Sequence, residues 1–125
     1  MALVYTVEQA RATLARLRPV IEDLISVRAD AAELGMAMHQ GMPSALGGLP
    51  EFKAAQARLD ELVSAVLAED LQLKGVAPLL LDFPAELDGV PVLLCWLEGD
   101  RGLDWYHRAD LGFAGRRPLP RRHGR

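Results

Sequence analysis

Apolar residues recur every three or four positions along the first third of the chain: Ala10, Leu14, Leu17, Ile21, Leu24, Val27, Ala31, Leu34 and Met38. That spacing lines them up as one stripe on a long helix. Glu22, Asp23, Arg28, Asp30 and Glu33 mostly fall off the stripe and face water. Thr6-Val7-Glu8-Gln9 has the form of a capping box, in which the Thr6 hydroxyl accepts from the Gln9 amide and the Gln9 side chain reaches back. Pro19 sits inside the run and predicts a kink. The glycines and prolines of residues 41–50 mark a loop. Pro50 then suits a first helical position, and Glu51 complements the helix dipole. A second stripe follows in Phe52, Ala55, Leu59, Leu62 and Val66, continuing to Leu73 and Val76, with Lys74-Gly75 as a stop. The pattern predicts an antiparallel helical hairpin over residues 7–75, with the seam of a coiled coil. Its leftover apolar surface is expected to meet the C-terminal part, a second copy of the chain or a helical partner.

From Val76 the period changes. Leu79-Leu80-Leu81-Asp82-Phe83 reads as a short strand stopped by Pro84. Residues 90–97 form a continuous apolar, β-branched and aromatic run of strand length, led in by the turn Asp88-Gly89. Residues 98–102 read as a hairpin turn and residues 103–108 as the returning strand. The expected fold is α+β, a long helical hairpin packed with a small three-stranded antiparallel sheet. The chain is expected to form a single domain over residues 1–125, with the β-part at 76–118 and a basic flexible tail at 119–125.

Composition narrows the class. The chain has 125 residues, half of them hydrophobic and a quarter charged, as in ordinary soluble domains. No apolar run approaches the roughly 20 residues that span a bilayer, and the opening residues lack the layout of a signal peptide. The single cysteine, Cys95, cannot close an internal disulfide, so a cytoplasmic setting is expected. The net charge of −3 conceals an acidic body with arginines at 116, 117, 121, 122 and 125. A short basic tail on an acidic body argues against a nucleic-acid partner.

The C-terminal third also carries a specific resemblance. Asp82-Phe83-Pro84, Leu94-Cys95-Trp96, Trp105-Tyr106-His107 and Gly112-Phe113-Ala114-Gly115-Arg116-Arg117-Pro118 resemble the bacterial family known as domain of unknown function 2203. Tyr5-Thr6-Val7-Glu8-Gln9-Ala10-Arg11 fits the helix opening of that family. The resemblance implies no activity, substrate or cofactor, and assigns no catalytic residue.

The candidate chemistry lies in those same segments. Cys95 and His107 are soft-metal donors, and Asp82 is a hard third ligand. In one hairpin register Cys95 and His107 share a face, and a one-residue slip separates them. Against a metal stands the absence of closely spaced Cys or His pairs, since His39 and His123 lie far off in the chain. The plainer readings are a buried inert thiol and a structural histidine. A carboxylate such as Asp82, interrupting an apolar strand, needs a partner, and Arg116, Arg108 and His107 are the candidates. Gly112-Phe113-Ala114-Gly115-Arg116 reads either as a tight turn plugged by Phe113 or as an anion cradle. Trp96 and Trp105 would wall any ligand pocket formed with Asp82, His107 and Arg116.

Two functions follow. One is a binding or interaction protein that self-associates through the hairpin and holds a small ligand or anion in the β-part. The other is a metal-binding protein or enzyme using Asp82, Cys95, His107 and Arg116. The residues leave open whether the protein is an enzyme and which cofactor, if any, it takes.

Overall fold

A computed structural model describes residues 4–120. The order of elements is α1 (Val7–Gln40), α2 (Leu49–Leu67), β1 (Gln72–Val76), β2 (Leu79–Leu87), β3 (Val90–Leu97), β4 (Trp105–Arg108), a short 3-10 turn (Phe113–Gly115) and β5 (Arg117–Pro118). The α+β class stands, but the sheet has five strands, not three, in the antiparallel order β1-β2-β3-β4-β5. No helix among the described residues is long and apolar enough to cross a membrane. Arg121, Arg122, His123 and Arg125 of the expected tail lie outside the described residues.

The chain divides into two compact units. The helical unit comprises Leu17–Ala68. Within it Leu17, Ile21, Leu24, Leu34, Leu62 and Val66 are buried, while Val27, Ala31, Phe52, Ala55 and Leu59 are half-buried. Arg58 lies 3.8 Å from Asp23, and a Cβ at Gly35 would meet the Phe52 ring at 3.3 Å, so the two helices run antiparallel. Helix α1 continues through Pro19 without interruption. The Glu51 carboxylate accepts the Gly48 amide at 2.7 Å and fixes the start of α2.

Helix α2 stops at Leu67, eight residues short of the predicted end at Gly75. Asp70 adopts φ +61, a left-handed conformation that a right-handed helix cannot continue through. Leu73 and Val76 keep helical spacing by coincidence and lie in β1. Gly75 marks a bulge between Leu73 and Leu81 on one side and Leu80 on the other, where a Cβ would come 3.0 Å from the Pro78 carbonyl oxygen. The Lys74-Gly75 step that resembled a helix stop is therefore a strand bulge, with Lys74 the unpaired residue of the ladder.

The second unit joins the residues up to Arg16 with those from Glu69 onward. Its helical start is capped as the sequence indicates: Thr6 N–H donates to Gln9 Oε1 and Gln9 N–H to Thr6 Oγ1, both at 3.0 Å. Strand β2 runs past Pro84 to Leu87, longer than predicted. Pro84 pairs with Leu93 but directs its carbonyl away from β3, to the Tyr5 amide at 2.7 Å, so its missing N–H removes no β2–β3 bond. Asp88 and Gly89 take φ +51 and +78, the two left-handed positions of a type I′ turn.

Register assigns the two faces of this sheet. Leu81, Phe83 and Ala85 pair with Trp96, Leu94 and Val92, and all six are buried. Tyr5 joins this apolar face, its ring edge-on to Phe83 at 5.3 Å. The opposite face pairs Asp82 with Cys95 and Cys95 with Trp105, and in the next row Pro84 with Leu93 and Leu93 with His107.

Candidate metal centre

Side chains directly opposite on antiparallel strands share a face, and diagonal neighbours one row away remain within reach. The register therefore gathers Asp82 of β2, Cys95 of β3 and His107 of β4 on one face, and the slip that would have separated Cys95 from His107 does not occur. One donor atom from each of the three lies within 4.8 Å of the others. All three are sealed from water, with 1 %, 0 % and 2 % of their surface exposed.

The hydrogen bonds of His107 define its protons. Nδ1 lies 2.9 Å from the Arg108 carbonyl oxygen, which can only accept, so Nδ1 carries a hydrogen. Nε2 lies 3.1 Å from Asp82 Oδ2. Two facing lone pairs would repel at that distance, so a second proton sits between them. Lys74 Nζ donates to the same Oδ2 at 3.2 Å, which favours negative charge on Asp82 and the proton on the imidazole. The other carboxylate oxygen, Asp82 Oδ1, is buried without a hydrogen-bond partner among the described residues.

Burial pushes the Cys95 thiol from 9.0 up to about 12, and the Asp82 carboxylate adds to the rise. The Arg116 cation opposes it in part. Cys95 is thus a protonated thiol in this arrangement, because burial and Asp82 together outweigh the Arg116 cation.

Arg116 sits over the same face through Trp105. Its guanidinium stands 4.5 Å from the Trp105 ring centre and 5.2 Å from that of Phe113. Nη2 donates to Asp100 Oδ2 at 2.8 Å, and Asp100 is itself held by the Leu97 amide at 2.9 Å. Nη1 is buried without a hydrogen-bond partner among the described residues.

Four of the residues singled out from sequence, Asp82, Cys95, His107 and Arg116, thus occupy one face with Trp105. Trp96 does not join them: it belongs to the apolar face, with Nε1 donating to the Asp100 carbonyl at 3.0 Å. His39 is exposed near the end of α1. The partner of Asp82 is His107, with Lys74 added. Arg108 pairs instead with Asp110 at 2.6 Å, and Arg116 with Asp100. Lys74 and Asp100 escape sequence reading for different reasons. Lys74 is hidden by the apparent helix that β1 replaces, whereas Asp100 in a turn is indistinguishable from any solvated aspartate.

Phe113–Gly115 forms a 3-10 turn, in which the Gly115 amide bonds the Gly112 carbonyl and the Arg116 amide that of Phe113. The Arg108 carbonyl accepts from Nδ1 and so turns Nε2 toward the cluster. No curated protein and no solved structure matches the chain. A family model described as "Uncharacterized conserved protein (DUF2203)" matches residues 3–119, so the chain belongs to the family of domain of unknown function 2203.

Proposed function

We propose that this protein is a metal-binding protein whose centre is Asp82, Cys95 and His107. The observation that carries the reading is the convergence of a thiol, an imidazole and a carboxylate, all buried, with donor atoms within 4.8 Å. Sulfur, nitrogen and oxygen donors in one small site suit Zn²⁺, with bonds of about 2.0–2.3 Å. Those lengths place tetrahedral donors about 3.3–3.5 Å apart, so side-chain rotation must close the cluster by about 1 Å. The exchange is also electrostatically even. A divalent ion replaces the thiol proton and the proton between Nε2 and Oδ2, leaving the charge of the buried cluster unchanged.

Elemental analysis of protein purified from zinc-supplemented cells tests the reading. One zinc per chain is expected, lost in Cys95→Ser and in His107→Ala while circular dichroism stays that of the wild type. Metal-free wild-type protein that also fails to take up added Zn²⁺ in calorimetry would overturn it.

A second reading, pairing of two copies through the far end of the helical unit, rests on a separate observation. Met36, Met38 and Met42 are 56 %, 40 % and 62 % exposed there, beside exposed Leu46 and Leu49. Sedimentation over a hundredfold concentration range should show a dimer that Met38→Glu with Met42→Glu abolishes. A monomer throughout that range would refute it.

A further inference from the structure

We infer that the centre also takes a small carboxylate-type anion, such as bicarbonate, formate or acetate, bound to the metal and anchored by Arg116 Nη1. The inference rests on the metal reading above. Three protein donors leave one position of a tetrahedral ion open. Arg116 is the residue placed to address it. Its ring partner Trp105 lies directly across the sheet from Cys95.

Three features of Arg116 specify the ligand. The guanidinium is clamped between Trp105 and Phe113 and tied by Nη2 to Asp100, so its direction is set before anything binds. Its side chain keeps only 11 % of its surface exposed, yet Nη1 has no acceptor among the described residues. A buried guanidinium N–H without an acceptor is unfavourable, and an anionic oxygen is the partner that relieves it most. Finally, Asp100 already balances the charge of Arg116. What remains is one directed donor rather than a full positive charge, which suits a small monoanion better than a phosphate dianion. Phe113, 45 % exposed, is the outer wall of the clamp.

Cobalt(II)-loaded protein separates this inference from its premise. Thiolate-to-cobalt charge-transfer absorption reports the metal on Cys95, and the visible d–d bands report the fourth ligand. Adding bicarbonate, formate or acetate should shift the d–d bands saturably and leave the charge-transfer band in place. Arg116→Gln should keep the charge-transfer band and weaken anion binding about tenfold or more, as expected for loss of one charge-assisted hydrogen bond. Arg116→Lys, which keeps the charge without the fork, should also weaken it. Wild-type d–d bands that ignore all three anions would overturn the inference while the metal reading stands, and so would an Arg116→Gln protein that responds like wild type. Absence of the charge-transfer band would overturn both.

Discussion

The Asp82–His107 pair makes a prediction that needs no metal. Both side chains are almost wholly buried, with 2 % and 3 % of their surface exposed. Replacing Asp82 by Leu enlarges the side chain, with an overpacking cost of its own, and leaves the His107 imidazole without its acceptor 3.1 Å away. Removing one partner of a buried pair costs about 3–5 kcal/mol, because the other charge is left uncompensated. Lys74 adds little to this figure: its side chain is 44 % exposed and can turn to water, so the ion pair it makes contributes about 0.2–1 kcal/mol. Replacing both partners, Asp82→Leu with His107→Phe, removes the stranded charge and should restore most of the loss, since apolar isosteres of buried pairs are often neutral or stabilising. Urea unfolding in chelator-treated buffer measures all four members of the cycle, with midpoints compared at constant slope. A double variant as unstable as the sum of its two singles would show that Asp82 and His107 do not act as a unit, and the proton placed between them would be withdrawn.

Three further outcomes are expected. The folded thiol of Cys95 stays protonated to about 12 whereas the unfolded one ionises from 9.0, so stability is highest below pH 9 and is lost as pH rises through that window. Wild type should therefore lose about 1.4 kcal/mol more per pH unit than Cys95→Ala above pH 9, and parallel urea midpoints from pH 8.5 to 10.5 would contradict this. Zinc affinity should rise about tenfold per pH unit from pH 6 to pH 8, because the Cys95 thiol gives up its proton on binding; calorimetry in buffers of different ionisation enthalpy counts the protons released, and a count of zero would refute the exchange. Thr6→Ala should cost about 1 kcal/mol by removing the cap of α1, and a thermal midpoint equal to that of wild type would show that the paired bonds to Gln9 contribute nothing.

Much of the fold was legible because local signals agreed with one another. The cap at Thr6 and Gln9, the stripe from Ala10 to Leu34 and the Asp88-Gly89 turn each had one physical reading, and each is present. Legibility failed where a short segment satisfied two periods at once. Leu73 and Val76 suit a helix by spacing, and the deciding facts, the left-handed Asp70 and the pairing of β1 with β2, are not local. The same error hid Lys74 from the site. Pro84 misled in the opposite direction: a proline ends a strand only where its N–H would be needed, and that depends on which side the neighbouring strand lies. The site residues were visible as types, but their meeting was not. Register alone decides whether Cys95 and His107 share a face; the two-residue turn at Asp88 fixes β2 against β3, but β3 against β4 is set across the longer connection 98–104, where no two-residue turn specifies it.

Stability does not account for this polar face. The other side of the same sheet is filled by Leu81, Phe83, Ala85, Val92, Leu94 and Trp96, which shows what an apolar solution looks like in this fold. Filling Asp82 and His107 with hydrocarbon would fold as well or better. The chain instead buries a carboxylate and an imidazole beside a thiol that interacts with both Asp82 and Arg116, and among the described residues it leaves the acceptor Asp82 Oδ1 and the donor Arg116 Nη1 without a conventional partner. The orphans have opposite polarity, so neither an apolar solute nor an ion of one sign satisfies both. A cation held by Asp82, Cys95 and His107, carrying an anion that accepts from Arg116, removes both deficits with one assembly. That complementarity between what is missing and what is proposed gives the metal reading its weight over a merely structural ion pair, which would leave both atoms as they are.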